Sequence, residues 1–277
     1  MGVTGPAPRV AVISGGSSGI GLAIAHELAS RGYALWLIAR RQEPLERAEA
    51  GLLARHPGLS VRTIALDVTD AEAVLEAMTS IVLQAGRVDW LVTSAGIVEP
   101  GLFLEQSLEA HRRQMDTNHF GTLHLVRAVA PTMVRQGGGH ITLISSAAAF
   151  AGIAGYSAYA ASKFAVRALG ETLQVELAGH KIAVGVAFPP DTDTPQYHGE
   201  QASKPAITKA ISAGGGVMSA EAVARSIVSQ ANRGRFLLTP SPLITAFGWL
   251  HSLYAPLFRH QQRRIIARLA RGEGRKP

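Results

Sequence analysis

Short apolar segments alternate with helical patterns along most of this chain. The apolar segments predict β-strands at residues 10–13, 34–39, 61–66, 88–93, 139–144, 181–188 and 235–239. The patterns between them predict helices at residues 20–30, 42–55, 70–84, 112–136, 157–179 and 220–232. Buried strands that alternate with helices are typical of βαβ units. The sequence therefore predicts an α/β fold, a doubly wound parallel sheet with helices on both faces.

The composition narrows the class of protein. The chain has 277 residues, of which 47% are hydrophobic, which is enough for one large α/β domain. It contains no cysteine, which excludes disulfides, cysteine nucleophiles and thiolate metal sites, and we expect no metal. The first eight residues contain no apolar run, so we expect no signal peptide.

The formal net charge of +7 is concentrated at the end of the sequence. Residues 259–277 contain seven Lys or Arg and one Glu, which accounts for +6 of the total. The rest of the chain is close to neutral. Nucleic-acid-binding proteins carry a basic face on the folded domain, so this distribution argues against nucleic acid as a partner.

A glycine-rich turn joins the first predicted strand to the first predicted helix. It reads Ser14-Gly15-Gly16-Ser17-Ser18-Gly19-Ile20-Gly21. Glycines here allow a tight turn and close approach to a pyrophosphate, and the helix N-terminus adds amides and a positive dipole end. We predict that a dinucleotide contacts Gly15, Ser17, Ser18, Gly19, Ile20 and Gly21. The alternative is a tight turn that binds nothing.

The end of the second strand predicts which dinucleotide binds. Ala39 stands where an acidic residue would bind ribose hydroxyls, and Arg40 and Arg41 follow it. Arginine accommodates a 2′-phosphate at this position, so we predict NADP(H) in contact with both arginines. Alternatively, they merely begin a solvated helix. Asp67, after the third strand, is expected near the adenine, whereas Asp70 is expected to cap the next helix.

Four polar residues are candidates for proton transfer. Tyr159 and Lys163 lie four residues apart at the start of a predicted helix, so their side chains share a face, and a cation lowers the pKa of a nearby phenol. Ser146 follows the fifth strand, where α/β sheets bind ligands, and it can hydrogen-bond a carbonyl. Asn118 lies in the helix after the fourth strand, and its amide either serves the site or bonds to neighbouring backbone.

These segments together resemble the short-chain dehydrogenase/reductase family over residues 9 to about 240. The matching pieces are residues 14–21, Asp67-Val68, Ser94-Ala95-Gly96, Asn118, Ser146, Tyr159 and Lys163. The resemblance implies a Rossmann-type fold in which Val68, Ala95 and Gly96 also contact the cofactor. It implies that Tyr159 donates a proton to the carbonyl and that Lys163 lowers the pKa of Tyr159 and holds the nicotinamide ribose. Ser146 would orient the carbonyl, and Asn118 would hold a water.

Two positions depart from the pattern of the family. Ser14 stands where the family usually has threonine, and it keeps the hydroxyl. Thr93-Ser94 replaces the common Asn-Asn before Ala95-Gly96 and removes two side-chain amides. Neither change affects the four candidate residues, so we expect activity to survive both.

The segment after the sixth strand indicates the substrate. It reads Phe188-Pro189-Pro190-Asp191-Thr192-Asp193-Thr194-Pro195 and resembles the 3-ketodihydrosphingosine reductases, as does Ser203-Lys204-Pro205. The resemblance implies NADPH-dependent reduction of 3-ketosphinganine, a long-chain keto sphingoid base, to sphinganine in sphingolipid biosynthesis. It places Pro189, Thr192 and Thr194 against the nicotinamide and phosphates. Asp191 and Asp193 either form turns or meet the amine of the substrate.

The same residues leave alternative functions open. The chain could reduce another apolar ketone, such as a steroid or a long-chain acyl ketone. It could instead be a non-catalytic NADP-binding, membrane-associated protein or scaffold, against which the complete set of catalytic residues argues.

We predict one NADP-binding catalytic domain over residues 1–240, with a substrate loop at 189–218 and Ser219 as the cap of the helix that follows.

The C-terminal extension, residues 241–277, is apolar first and basic afterwards. Residues 243–258 would span about 24 Å as a helix, less than the roughly 30 Å of bilayer hydrocarbon. His251 and Pro256 interrupt this apolar run, so we expect it to be too short and too broken to span a membrane. Five arginines follow between residues 259 and 271. We predict an anchor on an anionic membrane surface, and hence a cytoplasmic protein attached peripherally to the cytoplasmic face.

Two alternatives for the extension concern contacts with protein. It could pack on the catalytic domain as a lid, or it could contact a second subunit. The family resemblance also implies a homodimer or homotetramer that associates through the predicted helices at residues 112–136 and 157–179.

Overall fold

A seven-stranded parallel sheet forms the centre of the molecule. The structure, a computed structural model, describes residues 8–213 and 216–272. The strands of this sheet are β1 (Val10–Ser14), β2 (Ala34–Ala39), β3 (Val61–Ala65), β4 (Trp90–Thr93), β5 (Gly139–Ile144), β6 (Ile182–Ala187) and β9 (Leu237–Leu238). Their order is β3-β2-β1-β4-β5-β6-β9. The chain changes direction across the sheet between β1 and β4, and this is where such sheets bind ligands.

Helices cover both faces of the sheet. They are α1 (Gly19–Ala29), α2 (Gln42–Arg55), α3 (Ala71–Ala85), α4 (Leu108–Met115), α5 (Gly121–Gln136), α6 (Ser157–Glu176), α7 (Pro195–Glu200), α8 (Ala206–Ser212), α9 (Ala220–Ala231) and α10 (Pro242–Ala270). Val10 and Val12 of β1 pack in the core that contains α3 and α5, whereas Ala11 and Ile13 pack in the core that contains α1 and α9. Because successive strand residues point to opposite faces, one apolar strand serves both cores. The predicted doubly wound α/β fold is confirmed.

Hydrogen bonds at the helix N-termini match the capping residues in the sequence. Asp70 accepts a hydrogen bond from the amide of Ala73 at 3.0 Å, and Ser219 accepts one from the amide of Ala222 at 3.2 Å. Each satisfies an amide that has no partner within its own helix. Both predicted caps are confirmed.

The predicted helix at residues 112–136 is wrong in two respects. It begins earlier, because Ser107 caps α4 by accepting a hydrogen bond from Ala110. A π-helical segment, Asp116–Phe120, then separates α4 from α5. The segment contains Asn118, whose buried amide bonds to the backbone of Ile97, so a long-range contact determines the irregularity.

The described residues of the predicted loop, 189–213 and 216–218, contain regular structure. The helices α7 and α8 lie there, and the strand β7 (Thr192–Asp193) pairs in parallel with β8 (Met218–Ser219), which begins at the end of the predicted loop. Thr194 caps α7 and Pro195 follows it at the first helical position. The prediction missed these elements because each is shorter than the window over which periodicity can be recognised.

Within the C-terminal extension, residues 242–270 form one continuous helix. The helix, α10, has 29 residues and contains Pro256. Contacts on both sides of Pro256 hold it in place, with Ile244 buried in the core and Gln262 bonded to the backbone of residues 152 and 154. In the part of the chain that the structure describes, no helix is both long and apolar enough to cross a membrane. The domain boundary at residue 240 stays a prediction.

Candidate active site

A cavity of about 840 Å³ opens at the carboxyl ends of the parallel strands. Seventeen predicted site residues line it, namely Gly15, Ser17, Ser18, Gly19, Ile20, Arg40, Arg41, Asp67, Val68, Ala95, Gly96, Ser146, Tyr159, Lys163, Pro189, Thr192 and Thr194. Gly21 and Asn118 are buried and do not line the cavity. The fold therefore brings residues from seven separate segments into one space.

The glycine turn has the shape that close approach to a phosphate requires. Gly15 has a φ of +66°, and a Cβ there would lie 2.7 Å from the backbone of Ser94. A Cβ on Gly21 would overlap the carbonyl oxygen of Gly15, so Gly21 allows the turn to close rather than facing a ligand. Other residues at these two positions would clash with backbone, and the turn would open.

Ser14 connects the glycine turn to the neighbouring strand. Its buried hydroxyl accepts hydrogen bonds from the amides of Ser94 and Ala95, each at 3.2 Å. These bonds position the segment that leads to Gly96. A hydroxyl is therefore sufficient at position 14, which explains in physical terms why serine can replace threonine there.

Gly96 leaves space beside the catalytic candidates. A Cβ at this position would lie 3.0 Å from Oδ1 of Asn118 and 3.3 Å from Nζ of Lys163. A larger residue would push against both side chains, so glycine keeps this part of the cavity open. Together with the glycine turn, the open space fits a bound dinucleotide.

Two arginines lie where the adenosine end of such a dinucleotide would be bound. Arg40 and Arg41 are exposed, line the cavity, and form no ion pair that the described residues show. Arg41 is the N-cap residue of α2, where the helix dipole disfavours a cation. Asp67 also lines the cavity, and its carboxylate accepts hydrogen bonds from the amide and hydroxyl of Thr69. Two arginines without an ion-pair partner among the described residues suit the binding of a phosphate at this position.

Tyr159, Lys163 and Ser146 meet at the other end of the cavity. Nζ of Lys163 lies 5.7 Å from the centre of the Tyr159 ring and donates a hydrogen bond to the carbonyl of Ile144 at 3.1 Å. Both Ser145 and Ser146 line the cavity, but the buried hydroxyl of Ser145 donates to the carbonyl of Lys163. The hydroxyl of Ser146 accepts from the amide of Ala148 and is hydrogen-bonded to Tyr159, so Ser146 is the serine that lies beside the phenol.

Burial shifts the pKa values of the two proton-handling groups. It raises the pKa of the Tyr159 phenol to about 12, and a hydrogen bond with Ser146 partly opposes this. Burial also lowers the pKa of the Lys163 ammonium to about 8. The net shift of the Tyr159 pKa is therefore upward, because burial disfavours the phenolate, and the lowering expected from Lys163 stays a prediction.

The side chain of Asn118 bonds to the backbone of Ile97 and to Ser162, a residue that the sequence prediction missed. Its Oδ1 accepts from the amide of Ile97 at 2.8 Å, and its Nδ2 donates to the carbonyl of Ile97 and to Oγ of Ser162. Ser162 in turn donates to the carbonyl of Tyr159 at 2.7 Å. Asn118 thus joins the π-helical segment to α6. Ser162 lies within the Tyr159–Lys163 motif, but nothing in its spacing indicates this role.

The segment after β6 closes over the glycine turn. The amide of Ala147 donates to the carbonyl of Pro189 at 2.9 Å, which fixes the segment beside Ser146. A Cβ on Gly19 would lie 3.1 Å from Cγ2 of Thr194, so the two segments are in close contact. Oδ1 of Asp193 lies within hydrogen-bonding distance of Nε2 of His198, at 2.6 Å, and Asp193 does not line the cavity, whereas Asp191 does.

Three residues beside Tyr159 were not predicted from the sequence. Tyr156, Glu200 and Lys204 are buried and form hydrogen bonds with one another, and the ring of Tyr156 lies 5.5 Å from that of Tyr159. Glu200 and Lys204 are four residues apart, which is the spacing of a helical ion pair. That signal was present, but such pairs are usually exposed, and only the tertiary structure shows that this one is buried.

Known proteins match this chain in sequence and in fold. Residues 9–204 match a family model described as short chain dehydrogenase. The 3-ketodihydrosphingosine reductase of Dictyostelium discoideum is 36% identical over 276 residues, which cover 90% of this chain and 83% of the relative.

Two solved structures have the same fold. A short chain dehydrogenase/reductase from Burkholderia phymatum in complex with NAD is 26% identical with a TM-score of 0.79, and the match covers 89% of this chain and 94% of that one. An alcohol dehydrogenase from Thermococcus sibiricus complexed with 5-hydroxy-NADP is 30% identical with a TM-score of 0.71, covering 83% and 94%. This chain therefore belongs to the short-chain dehydrogenase family, is an oxidoreductase, and is similar to the 3-ketodihydrosphingosine reductases.

Proposed function

We propose that this chain reduces the ketone of 3-ketosphinganine to sphinganine with NADPH. One observation carries the chemistry: Tyr159, Lys163 and Ser146 line the same cavity as the glycine turn. The similarity to a 3-ketodihydrosphingosine reductase over 90% of the chain supports the substrate. Another apolar ketone, such as a steroid or a long-chain acyl ketone, is the competing substrate class.

The residues around the cavity have separable roles in this reaction. NADPH supplies a hydride to the carbonyl carbon when it is bound. The Ser146 hydroxyl donates a hydrogen bond to the carbonyl oxygen and orients it. The Tyr159 hydroxyl donates its proton to that oxygen as negative charge develops there. The Lys163 ammonium stabilises the phenolate that remains, and Asn118 keeps α6 in position through Ser162.

In this proposal, Arg40 and Arg41 determine the preference for NADPH over NADH. Both line the cavity without an ion-pair partner among the described residues, and Arg41 stands at a helix N-terminus that an anion would stabilise. We expect Arg40→Asp to invert the preference, because the carboxylate repels a 2′-phosphate and accepts hydrogen bonds from ribose hydroxyls. The ratio of kcat/KM for the two cofactors measures this, with exposed Arg55→Asp as the control. An unchanged ratio in Arg40→Asp contradicts the assignment.

The outer face of α10 supports the proposed attachment to a membrane surface. Trp249, Leu253 and Leu257 are 75%, 72% and 67% exposed and follow one another at intervals of four residues. Arg264 and Arg268 continue the same side of the helix two and three turns beyond Leu257. Apolar residues followed by cations on one side suit the interface of an anionic membrane, and this would place the protein on the cytoplasmic face.

The decisive test is NADPH oxidation with purified full-length protein. We expect turnover of 3-ketosphinganine at a kcat/KM well above that for a steroid ketone or a long-chain acyl ketone of similar hydrophobicity. Anionic vesicles are expected to raise the rate, because they present both the lipid substrate and the surface that binds α10. Preference for either competing ketone would replace the substrate assignment and leave the reductase chemistry intact. NADPH binding without turnover of any ketone would contradict the catalytic proposal.

A further inference from the structure

Four polar side chains pack together beside the catalytic tyrosine. The Tyr156 hydroxyl donates to Oε1 of Glu200 at 3.0 Å, and Nζ of Lys204 donates to the same oxygen at 3.1 Å. Oδ2 of Asp191 lies 3.6 Å from Nζ of Lys204. We refer to Tyr156, Asp191, Glu200 and Lys204 as the carboxylate cluster. It joins the helix α7 and the segment after β6 to the start of α6.

The two carboxylates of this cluster face the cavity and the lysine lies behind them. Glu200, Asp191 and Tyr156 line the cavity, whereas Lys204 does not, and the side chain of Lys204 is 1% exposed. The Glu200 side chain is 8% exposed and that of Asp191 is 32% exposed. A ligand in the cavity would therefore meet negative oxygens first, with the ammonium of Lys204 on the far side.

The formal charges of the cluster do not balance. Two carboxylates face one ammonium, which leaves a formal charge of −1 at a partly buried place on the cavity wall. Negative charge that is withdrawn from water is costly, so a cation bound from the cavity side would stabilise the two carboxylates. The other acidic residues of the cavity wall have partners of their own, Glu99 with Arg113 and Asp67 with Thr69.

The cluster lies where the substrate reacts. The rings of Tyr156 and Tyr159 are 5.5 Å apart, and Glu200 and Asp191 both act to raise the pKa of Tyr159. In a 2-amino-3-ketone the ammonium is bonded to the carbon next to the carbonyl. When the carbonyl oxygen meets the Tyr159 hydroxyl, the ammonium therefore lies close to Tyr159 as well, on the part of the wall where the unbalanced negative charge is found.

We propose that Glu200, assisted by Asp191, binds the ammonium group of an amino ketone substrate and so selects amino ketones over simple ketones. The inference rests on the proposed function, which supplies the ammonium. Lys204 holds the two carboxylates together and the bound cation completes the charge balance. A ketone that lacks the amine leaves the carboxylates desolvated and unpaired, and it binds more weakly for that reason.

Equilibrium binding to the NADP⁺-loaded full-length protein tests this directly. The probes are a short-chain analogue of sphinganine that stays monomeric in water and the matching 1,3-diol in which hydrogen replaces the amine. We expect Glu200→Gln to weaken binding of the amine on the order of 30-fold or more and to leave binding of the diol unchanged. Glutamine still accepts hydrogen bonds from Tyr156 and Lys204, so the packing is preserved. Asp191→Asn is expected to act in the same direction with a smaller loss.

A matched control and three outcomes decide the result. Glu176→Gln, an exposed substitution at the end of α6, should change neither affinity. If Glu200→Gln weakens both probes equally, or weakens neither, the ammonium site is overturned. If the amine binds in a Glu200-dependent way but 3-ketosphinganine is not reduced, the proposed function fails and the ammonium site stands. If Glu200→Gln fails to bind NADPH and is therefore misfolded, the affinities of Asp191→Asn for the amine and for the diol are compared instead, with the same interpretation.

Discussion

Tyr159 and Lys163 face the same cavity because residues four apart on a helix share a face. The sequence specifies this much through spacing alone. Which of two adjacent serines joins them is decided by their hydrogen bonds: the hydroxyl of Ser145 donates to the backbone of Lys163, and that of Ser146 is bonded to Tyr159. The preference for Ser146 came from the resemblance to a family, and the structure gives it a physical reason.

Replacing Tyr159 by phenylalanine should abolish catalysis and keep cofactor binding. The substitution removes the proton donor but retains the ring, and general acid catalysis is worth about 10²–10⁴-fold. We expect kcat for ketone reduction to fall by that factor, measured by NADPH oxidation, with an unchanged Kd for NADPH by fluorescence titration. Tyr33→Phe, a buried tyrosine outside the cavity, should behave as wild type. A Tyr159→Phe enzyme with wild-type kcat would show that the proton comes from elsewhere.

The pH dependence of reduction should follow Lys163. Reduction needs a protonated Tyr159 and a charged Lys163, and burial lowers the pKa of Lys163 to about 8 while that of Tyr159 is raised to about 12. Both conditions hold below a pH of about 8, and the charge on Lys163 is lost above it. We therefore expect kcat to decline as the pH rises through that value.

Steady-state rates at saturating NADPH and ketone give this profile. The exposed Lys181→Arg substitution is the control and should leave the decline in place. A rate that stays constant across the pKa of Lys163 would mean that its ammonium does not take part in the reductive step.

Among the helices and strands, long-range contacts override local patterns. The predicted helix at residues 112–136 contains a π-helical segment because Asn118 bonds to Ile97, far away in the sequence. The helix α10 continues through Pro256 because contacts on both sides of the proline hold it. In both cases the decisive contact joins residues that no window of the sequence contains.

Gln262 is expected to hold α10 on the catalytic domain. Its side chain accepts from the amide of Ala154 and donates to the carbonyl of Gly152, each at 2.9 Å. Gln262→Leu leaves both backbone groups without a partner, at a cost of about 1–3 kcal/mol for each that stays buried. We expect a lower Tm and faster tryptic cleavage after Arg259 and Arg263. The exposed Gln261→Leu should change neither, and equal effects of the two substitutions would contradict this role.

For the molecule as a whole, the outer face of α10 is a feature that the catalytic site does not explain. Substitution of Trp249, Leu253 and Leu257 by serine removes its exposed apolar side chains without disturbing the contacts of Ile244 or Gln262. We expect at least a tenfold loss of binding to anionic phospholipid vesicles by cosedimentation, because each buried apolar side chain contributes about 1.5–3 kcal/mol. Turnover of a water-soluble ketone should be unchanged.

Two comparisons separate a membrane contact from a contact between subunits. Leu75→Ser with Leu83→Ser, which removes exposed apolar side chains from α3, should leave vesicle binding intact. Light scattering reports the oligomeric state of each protein. If the triple variant changes from oligomer to monomer and the wild type does not bind vesicles, α10 contacts a second subunit instead. Association through the predicted helices at residues 112–136 and 157–179 stays a prediction.

Sequence patterns alone were enough to specify the α/β architecture and the glycine turn, and to place Tyr159 and Lys163 on one face of a helix. These depend on local periodicity and short spacings, such as the four residues between Tyr159 and Lys163, and a sequence displays them directly. Tertiary packing was needed to show that Gly21 and Asn118 are buried behind the cavity wall and do not line the cavity. It was also needed to show that Ser162 links Asn118 to the backbone of Tyr159 and that Glu200 and Lys204 are buried. Burial and long-range hydrogen bonds arise from packing between distant segments, and it is burial that raises the pKa of Tyr159 and lowers that of Lys163.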